Sequence, residues 1–203
     1  GAKPQGTWGH QGAGFAPTSI LQDRRQFAEA AMIRRSGGCT TTAFALTVGH
    51  ESDPMVSIRV EFLPSWLQVA VSTSVPEAAL EKVWGRQVAK LPGPRRWNRV
   101  VKPTGAVIAT LMDLGWTPSG PTRWTAPQGG EWQIDPRRAG VIPLALNKIR
   151  RSCTQLVWRR ATEHHCVAGI GEEADLTALQ QVRKTLRKEE CWLGVAILDM
   201  IGQ

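Results

Sequence analysis

Residues 97–134 hold the stretch that most restricts what this chain can become: WNRVVKPTGAVIATLMDLG, followed by WTPSGPTRWTAPQGGEWQI. From Ala106 to Leu114 the only charge is Asp113. A helix that is apolar nearly all round has no face to offer water, so it belongs in a core. Pro103 has no N–H to lose and suits an entry turn, with Thr104 as the N-cap, and Gly115 falls where a left-handed residue would close the helix. Thr104 to Leu114 would span about 16 Å, well short of the roughly 20 residues a bilayer requires. The stretch therefore predicts a buried helix and no membrane partner.

The second half of the stretch predicts a hairpin. Trp124 and Ala126 alternate with Arg123 and Thr125, and Trp132 and Ile134 alternate with Glu131 and Gln133. Pro127, Gln128, Gly129 and Gly130 supply turn chemistry between them. Trp116, Trp124 and Trp132 recur at eight-residue spacing. They read as one aromatic plate lying on the helix, in preference to a stacking platform for bases, because the alternation turns the rings towards the apolar helix.

Charge is the next constraint. Lys82, Arg86, Lys90, Arg95, Arg96, Arg99 and Lys102 form a run without an acid, and so do Arg137, Arg138, Lys148, Arg150, Arg151, Arg159 and Arg160. Against a net charge of +8, these fourteen cations leave the rest of the chain at −6. Two basic blocks flanking the central stretch suggest a polyanion, nucleic acid among the candidates. The alternatives are solvated faces, or docking onto an acidic protein.

Elsewhere the chain reads as helices. Residues 1–19 are rich in Gly with Pro4 and Pro17, and predict a flexible segment. Ser19 can cap a helix from Ile20 to about Arg35, stopped by Ser36, Gly37 and Gly38. Residues 39–48 (CTTTAFALTV) lean to helix over strand. Asp53 and Pro54 read as a turn. Val56, Ile58, Val60 and Phe62 alternate with polar residues, as in a strand or an extended loop. Pro64 opens a short helix holding Trp66 and Leu67. Ser74 and Glu77 form a capping box with Pro76 in the first turn. Ala79, Leu80, Val83, Trp84 and Val88 then share one face, and Lys82, Arg86 and Lys90 another.

Pro143 is a plausible first-turn residue for a long helix to about His165, with Leu146, Ile149, Cys153, Leu156, Val157, Ala161 and His164 at the apolar period. Lys148, Arg151 and Arg159 cluster on its opposite side, and Arg150 and Arg160 flank or invade the stripe, where a guanidinium snorkels outward in preference to being placed to meet a partner. Asp175 can cap a further helix to about Trp192, with Leu179, Val182, Leu186 and Leu193 facing the core. The apolar end, Val195 to Ile201, reads as a piece cut from a longer chain. The fold class expected is mainly α, a helical domain with a small Trp-bearing β-hairpin. Its parts are residues 1–19 (flexible), 20–96 (helical), 97–135 (core helix and hairpin) and 136–203 (basic long helix and C-terminal helices).

The residues offer little chemistry. With nine Trp and no Tyr, any phenol mechanism is excluded. Cys39, Cys153, Cys166 and Cys191 lie far apart with no C-x-x-C and no apolar leader, which predicts a reduced, intracellular (cytoplasmic or nuclear) protein. His164, His165 and Cys166 are the best zinc candidates. Adjacent His residues point about 100° apart on a helix, so both cannot face one ion without a kink. His164 at a helix C-terminus has the simpler role of complementing the dipole. The aspartates are scattered, so a two-metal hydrolase lacks its carboxylates, and there is no Walker loop. No catalytic residue and no cofactor is expected, and a metal-dependent hydrolase ranks third.

Several of these residues resemble a segment of protist non-LTR-type retroelement polyproteins, lying between the reverse transcriptase palm and a ribonuclease H region. The resemblance rests on Trp97, Asn98, Arg99 and Val100; on Pro103 to Ala106 with Ile108 to Leu111; on Leu114, Gly115, Trp116, Pro118 and Trp124; and on Val157 to Ala161 with His164, Gly169, Gly171, Glu173 and Asp175. It covers about residues 34–190, more weakly before Trp97. It implies a thumb- or connection-like region that helps hold template and primer, with RNA or an RNA–DNA hybrid and the other polyprotein domains as partners, in a parent that is an RNA-directed DNA polymerase. The polymerase motif of an aromatic followed by two aspartates is absent, as is the ribonuclease H carboxylate set. The expected function is thus a non-catalytic, nucleic-acid-contacting accessory region. Lys82, Arg86, Lys90, Arg95, Arg96, Arg99, Lys102, Lys148, Arg151 and Arg159 would meet phosphates.

Overall fold

Pro17 stands at the start of the first helix, α1 (Pro17–Ala30), where its missing N–H costs nothing. The helix thus begins before Ser19, which lies in its first turn, and Ala16 caps it without a side-chain bond. The computed structural model describes residues 14–31, 33, 38–71, 75–135 and 137–164, with positions 178, 181, 182 and 185. Arg34 and Arg35, most of the N-terminal segment and nearly all of the chain beyond His164 lie outside them. Val182, expected in the core, is 49% exposed.

α2 (Thr40–Thr47) settles the ambiguous CTTTAFALTV run as helix. Thr41, Ala43, Phe44 and Ala45 are buried, and buried Thr47 donates its hydroxyl to the Ala43 carbonyl at 2.7 Å. Such back-bonding lets a threonine sit inside a buried helix without an orphan polar atom.

After a 3-10 turn at His50–Ser52 the chain departs from the strand reading. Val56 to Phe62 belong to α3 (Pro54–Glu61). Asp53 accepts the Met55 N–H at 2.9 Å and Pro54 takes the first helical position, so the supposed turn is a helix cap. Alternation fails because α3 is buried nearly all round: Met55, Val56, Ile58, Arg59 and Val60 are all inside. α4 (Leu63–Val71) comes next, as expected from Pro64.

α5 (Glu77–Lys90) has Pro76 as its N-cap and not inside the first turn; Ser74 of the expected capping box lies outside the described residues. A 3-10 turn at Arg96–Arg99 leads to α6 (Lys102–Asp113). Its cap is Val101, so Thr104 is an interior, buried residue and not the N-cap. The other end closes as expected: Gly115 has φ +78°, its N–H reaches the Met112 carbonyl, and the Trp116 N–H reaches Leu111 at 2.9 Å. This is the paired 5→2 and 6→1 closure that requires a left-handed residue.

The hairpin is one strand larger than expected. β1 (Thr117–Pro118), β2 (Arg123–Thr125) and β3 (Glu131–Gln133) form an antiparallel sheet in that order, with Trp124 opposite Trp132. The last described helix, α7 (Val141–Ala161), is capped by Gly140 at φ +82° and carries Pro143 in its first turn. The protein is mainly α-helical with one small three-stranded sheet.

α6 is the central element. Every residue from Thr104 to Leu111 is buried, and α4, α5 and β1 pack on it. α3 is the second inner helix, flanked by α1 and α7. One hydrophobic cluster runs through both, from Ile20 and Ile58 to Ile108, Trp124 and Ile149.

The N-terminal approach also docks: Phe15 packs on this cluster, and Gly14 at φ +69° would place a Cβ 2.4 Å from that of Ala106. Of the segment 1–19 expected to be flexible, residues from Gly14 onward are docked or helical, and residues 1–13 lie outside the described residues. Gly14→Ala is expected to destabilise by about 1–3 kcal/mol through overpacking and backbone strain, read as a lower denaturant midpoint. An unchanged midpoint would show that the 14–15 approach is not held against α6.

Candidate nucleic-acid interface

The first basic block sits on a helix anchored by tryptophan. Leu80 and Trp84 form the buried face of α5, while Lys82, Arg86 and Lys90 are exposed. The apolar face is narrower than expected, since Ala79 is exposed and Val83 is 43% exposed. The Trp84 ring lies 5.5 Å from that of Trp66, and its Nε1 donates to the Pro118 carbonyl at 3.0 Å. Trp66 Nε1 donates to the Pro121 carbonyl at 3.2 Å. Glu77 in the first turn and Lys90 in the last complement the helix dipole.

The loop beyond Lys90 continues the block. Leu91 is fully buried and pins it, Arg95 is exposed, and exposed Arg99 donates from Nη2 to the Pro92 carbonyl at 2.8 Å. Lys102 is exposed at φ +68°, unusual for a non-glycine residue. Arg96 differs. Its Nη1 lies 3.5 Å from Asp113 Oδ1, and Trp97 Nε1 donates to Asp113 Oδ2 at 2.7 Å. The one carboxylate of the apolar helix thus tethers the loop and commits Arg96, leaving it a poor phosphate ligand.

The second block lies on α7. Ala145, Leu146, Ile149, Cys153, Val157 and Ala161 face inward, joined by Thr154 and a fully buried Trp158 that the period did not single out. Lys148, Arg150, Arg151, Arg159 and Arg160 are exposed, as are Arg137 and Arg138 before the helix. α7 packs on α2, α3 and α4, whereas α5 packs on α6. The blocks therefore occupy different helices, and the small sheet is one of the elements that both touch, with α4. Arg123 pairs with Glu81 of α5 at 3.4 Å, Trp116 Nε1 donates to Ser152 of α7 at 3.0 Å, and Lys148 Nζ lies 5.9 Å from the Trp132 ring centroid.

The tryptophans of the sheet divide between core and rim. Trp116 and Trp124 are buried, and Trp124 Nε1 donates to the Gly120 carbonyl at 3.2 Å. Trp132 is half-buried.

Metal-ligating and nucleophilic groups are sparse. Among the described residues no group of three or more His, Cys, Asp and Glu could hold a metal ion; His165, Cys166 and Cys191 lie outside them. His164 lies just beyond α7, its N–H donating to the Ala161 carbonyl at 2.9 Å. Cys153 is fully buried, and desolvation pushes its thiol up to about 12 against the opposing pull of Arg59 and Arg150.

A thiol kept neutral is a poor nucleophile, so Cys153 is expected not to react with an aromatic disulfide at pH 8 in the folded protein and to react on unfolding. Reaction of Cys153 in the folded state, located by peptide mapping, would contradict this. The linkage has a sign: below pH 9 the thiol is neutral folded or unfolded. As pH rises from 9 towards 12 only the unfolded chain releases the proton, so stability falls in that window.

Arg59 is the residue the sequence hid. It is 3% exposed, desolvation lowers its pKa, and its Nη1 has no hydrogen-bond partner among the described residues. In the strand reading it faced solvent; on a helix buried all round it cannot.

Among the described residues no helix is long and apolar enough to cross a membrane. Comparison with protein-family models, curated proteins and solved structures finds no significant match.

Proposed function

We propose that this chain is a non-catalytic, nucleic-acid-contacting region of thumb or connection type, from a retroelement reverse transcriptase polyprotein. The observation that carries the reading is the cation run along α5 and the loop after it. Lys82, Arg86, Lys90, Arg95, Arg99 and Lys102 are exposed, and none pairs with a described carboxylate. Six unneutralised cations on one helix and its loop repel one another, and a phosphate backbone relieves that repulsion by releasing its own counterions. Lys148 and Arg151 of α7 extend the contact; Arg96, held by Asp113, does not. The sequence resemblance supplies the type of region and the parent polyprotein.

The test is binding of a labelled RNA–DNA hybrid, duplex DNA and an acidic peptide over a salt series. The hybrid affinity is expected to fall steeply with salt. Lys82, Arg86 and Lys90 changed together to Ala, on an exposed helix face that tolerates alanine, should flatten the log–log slope by about 2–3, at about 0.9 per lost phosphate contact. Binding of the acidic peptide with no nucleic-acid binding at low salt would replace this reading with that of a protein-docking module.

A further inference from the structure

We infer that Trp132 and Lys148 form a binding site for one unstacked base and its phosphate in a single strand, an inference that rests on the nucleic-acid reading above. β3 is an edge strand, and its register puts Trp132 on the same face as Trp124. Trp124 fills the core, while Trp132, at the rim, packs one side on the cluster and leaves part of its ring to solvent.

Its indole N–H is also open. Trp66, Trp84, Trp97, Trp116 and Trp124 each donate Nε1 to a protein acceptor. Trp132 and Trp158 have none among the described residues, but Trp158 is fully buried whereas Trp132 is at the surface. A tryptophan placed only for packing would bury its face or bond its N–H.

The surroundings supply the charge. Lys148 Nζ lies 5.9 Å from the Trp132 centroid, and among the described residues this cation–π contact is the one its ammonium makes. One helical turn on, the Trp116–Ser152 bond fixes this edge of α7 against the sheet. Exposed Arg151 and half-exposed Leu144 lie on the turns either side of Lys148. Strand alternation sends Glu131 to the opposite face, away from the ring. The occupant is a nucleotide: a base covers the ring more completely than an ammonium does and is the stronger partner. The flexible lysine then moves to the adjacent phosphate. Duplex bases are stacked on one another and cannot take the place, so the site selects single strands.

The experiment measures binding of the full chain to a labelled oligothymidine, to an abasic strand of equal length and to duplex DNA, using wild type, Trp132→Ala, Trp132→Phe and Lys148→Ala. Trp132→Ala is expected to weaken oligothymidine binding about tenfold while leaving abasic and duplex binding unchanged, and Trp132→Phe to recover most of the loss. Lys148→Ala should flatten the salt slope by about 0.7 on both single strands. The abasic strand also checks folding, since a misfolded variant would lose it too.

Wild-type oligothymidine affinity in Trp132→Ala, or equal losses on the thymidine and abasic strands in a variant whose thermal melt matches wild type, would overturn this site. Hybrid binding that still responded to the α5 substitutions would leave the broader reading intact. Wild type that bound no nucleic acid would overturn both.

Discussion

Asp53→Ala is expected to lower stability by about 3–5 kcal/mol, enough to threaten the fold of a domain this size. Asp53 is 3% exposed, and its carboxylate joins α3 to α1, with α2 reached through Arg24. Oδ1 accepts from the Met55 N–H at 2.9 Å, capping α3, and from Arg24 Nε at 3.0 Å; Oδ2 accepts from Arg24 Nη2 at 2.7 Å. The same Nη2 reaches Thr41 of α2 at 3.0 Å, and the guanidinium carbon sits 5.1 Å from the centroid of the Phe44 ring.

Removing the carboxylate uncaps α3, worth about 1 kcal/mol. It also strands a guanidinium whose side chain is only 13% exposed. The stranded charge is the larger loss, which sets a second expectation. Arg24→Met combined with Asp53→Ala should cost less than the sum of the two single changes, because the orphan is then gone. Denaturant midpoints of the four proteins decide it. A loss below about 1 kcal/mol in Asp53→Ala would mean that water reaches the pair.

This same aspartate shows where the fold was legible in the sequence and where it was not. Asp53 and Pro54 are both common turn residues and a strong helix start, and only the residues after them separate the two cases. Val56 to Phe62 do alternate, but α3 is enclosed by α1, α4 and α7, so its polar positions are also covered and the period loses meaning. α6 and Gly115 were readable because an apolar run with a glycine stop has one outcome in a chain this long. β1 was not, because two residues paired with β2 leave no periodic trace.

The candidate site divides in the same way. Exposure of Lys82, Arg86 and Lys90 comes from their four-residue spacing opposite Leu80 and Trp84, a purely local property. Arg96 stands among equally basic neighbours, yet it meets Asp113 across the turn into α6. The signal was present in the lone carboxylate at the end of an apolar run, which needs a partner. Likewise the eight-residue tryptophan spacing hides a difference of position. Trp124 lies in the middle strand and Trp132 in the edge strand, so equal spacing yields one buried ring and one open one.

Trp84→Ala is the other substitution expected to cost about 3–5 kcal/mol, and it separates the fold from the charge it displays. Trp84 is 1% exposed, 5.5 Å from Trp66 and bonded to the Pro118 carbonyl at 3.0 Å, so it links α5 to α4 and to β1 at once. Alanine removes the ring, the aromatic pair and the N–H together, and no neighbouring side chain can swing in to fill the space of an indole. Trp84→Phe keeps most of the volume and loses the donor, for an expected cost of about 1–2 kcal/mol. Thermal and denaturant melts should therefore rank wild type above Phe above Ala; equal stability of Phe and Ala would mean that the hydrogen bond, not the packing, holds α5. Because Trp84 points inward and Lys82, Arg86 and Lys90 point outward, the folded Phe variant should bind a hybrid with the wild-type salt slope. A flattened slope in that variant would place the phosphate contacts under the control of how α5 is seated on the core, and not of its charge alone.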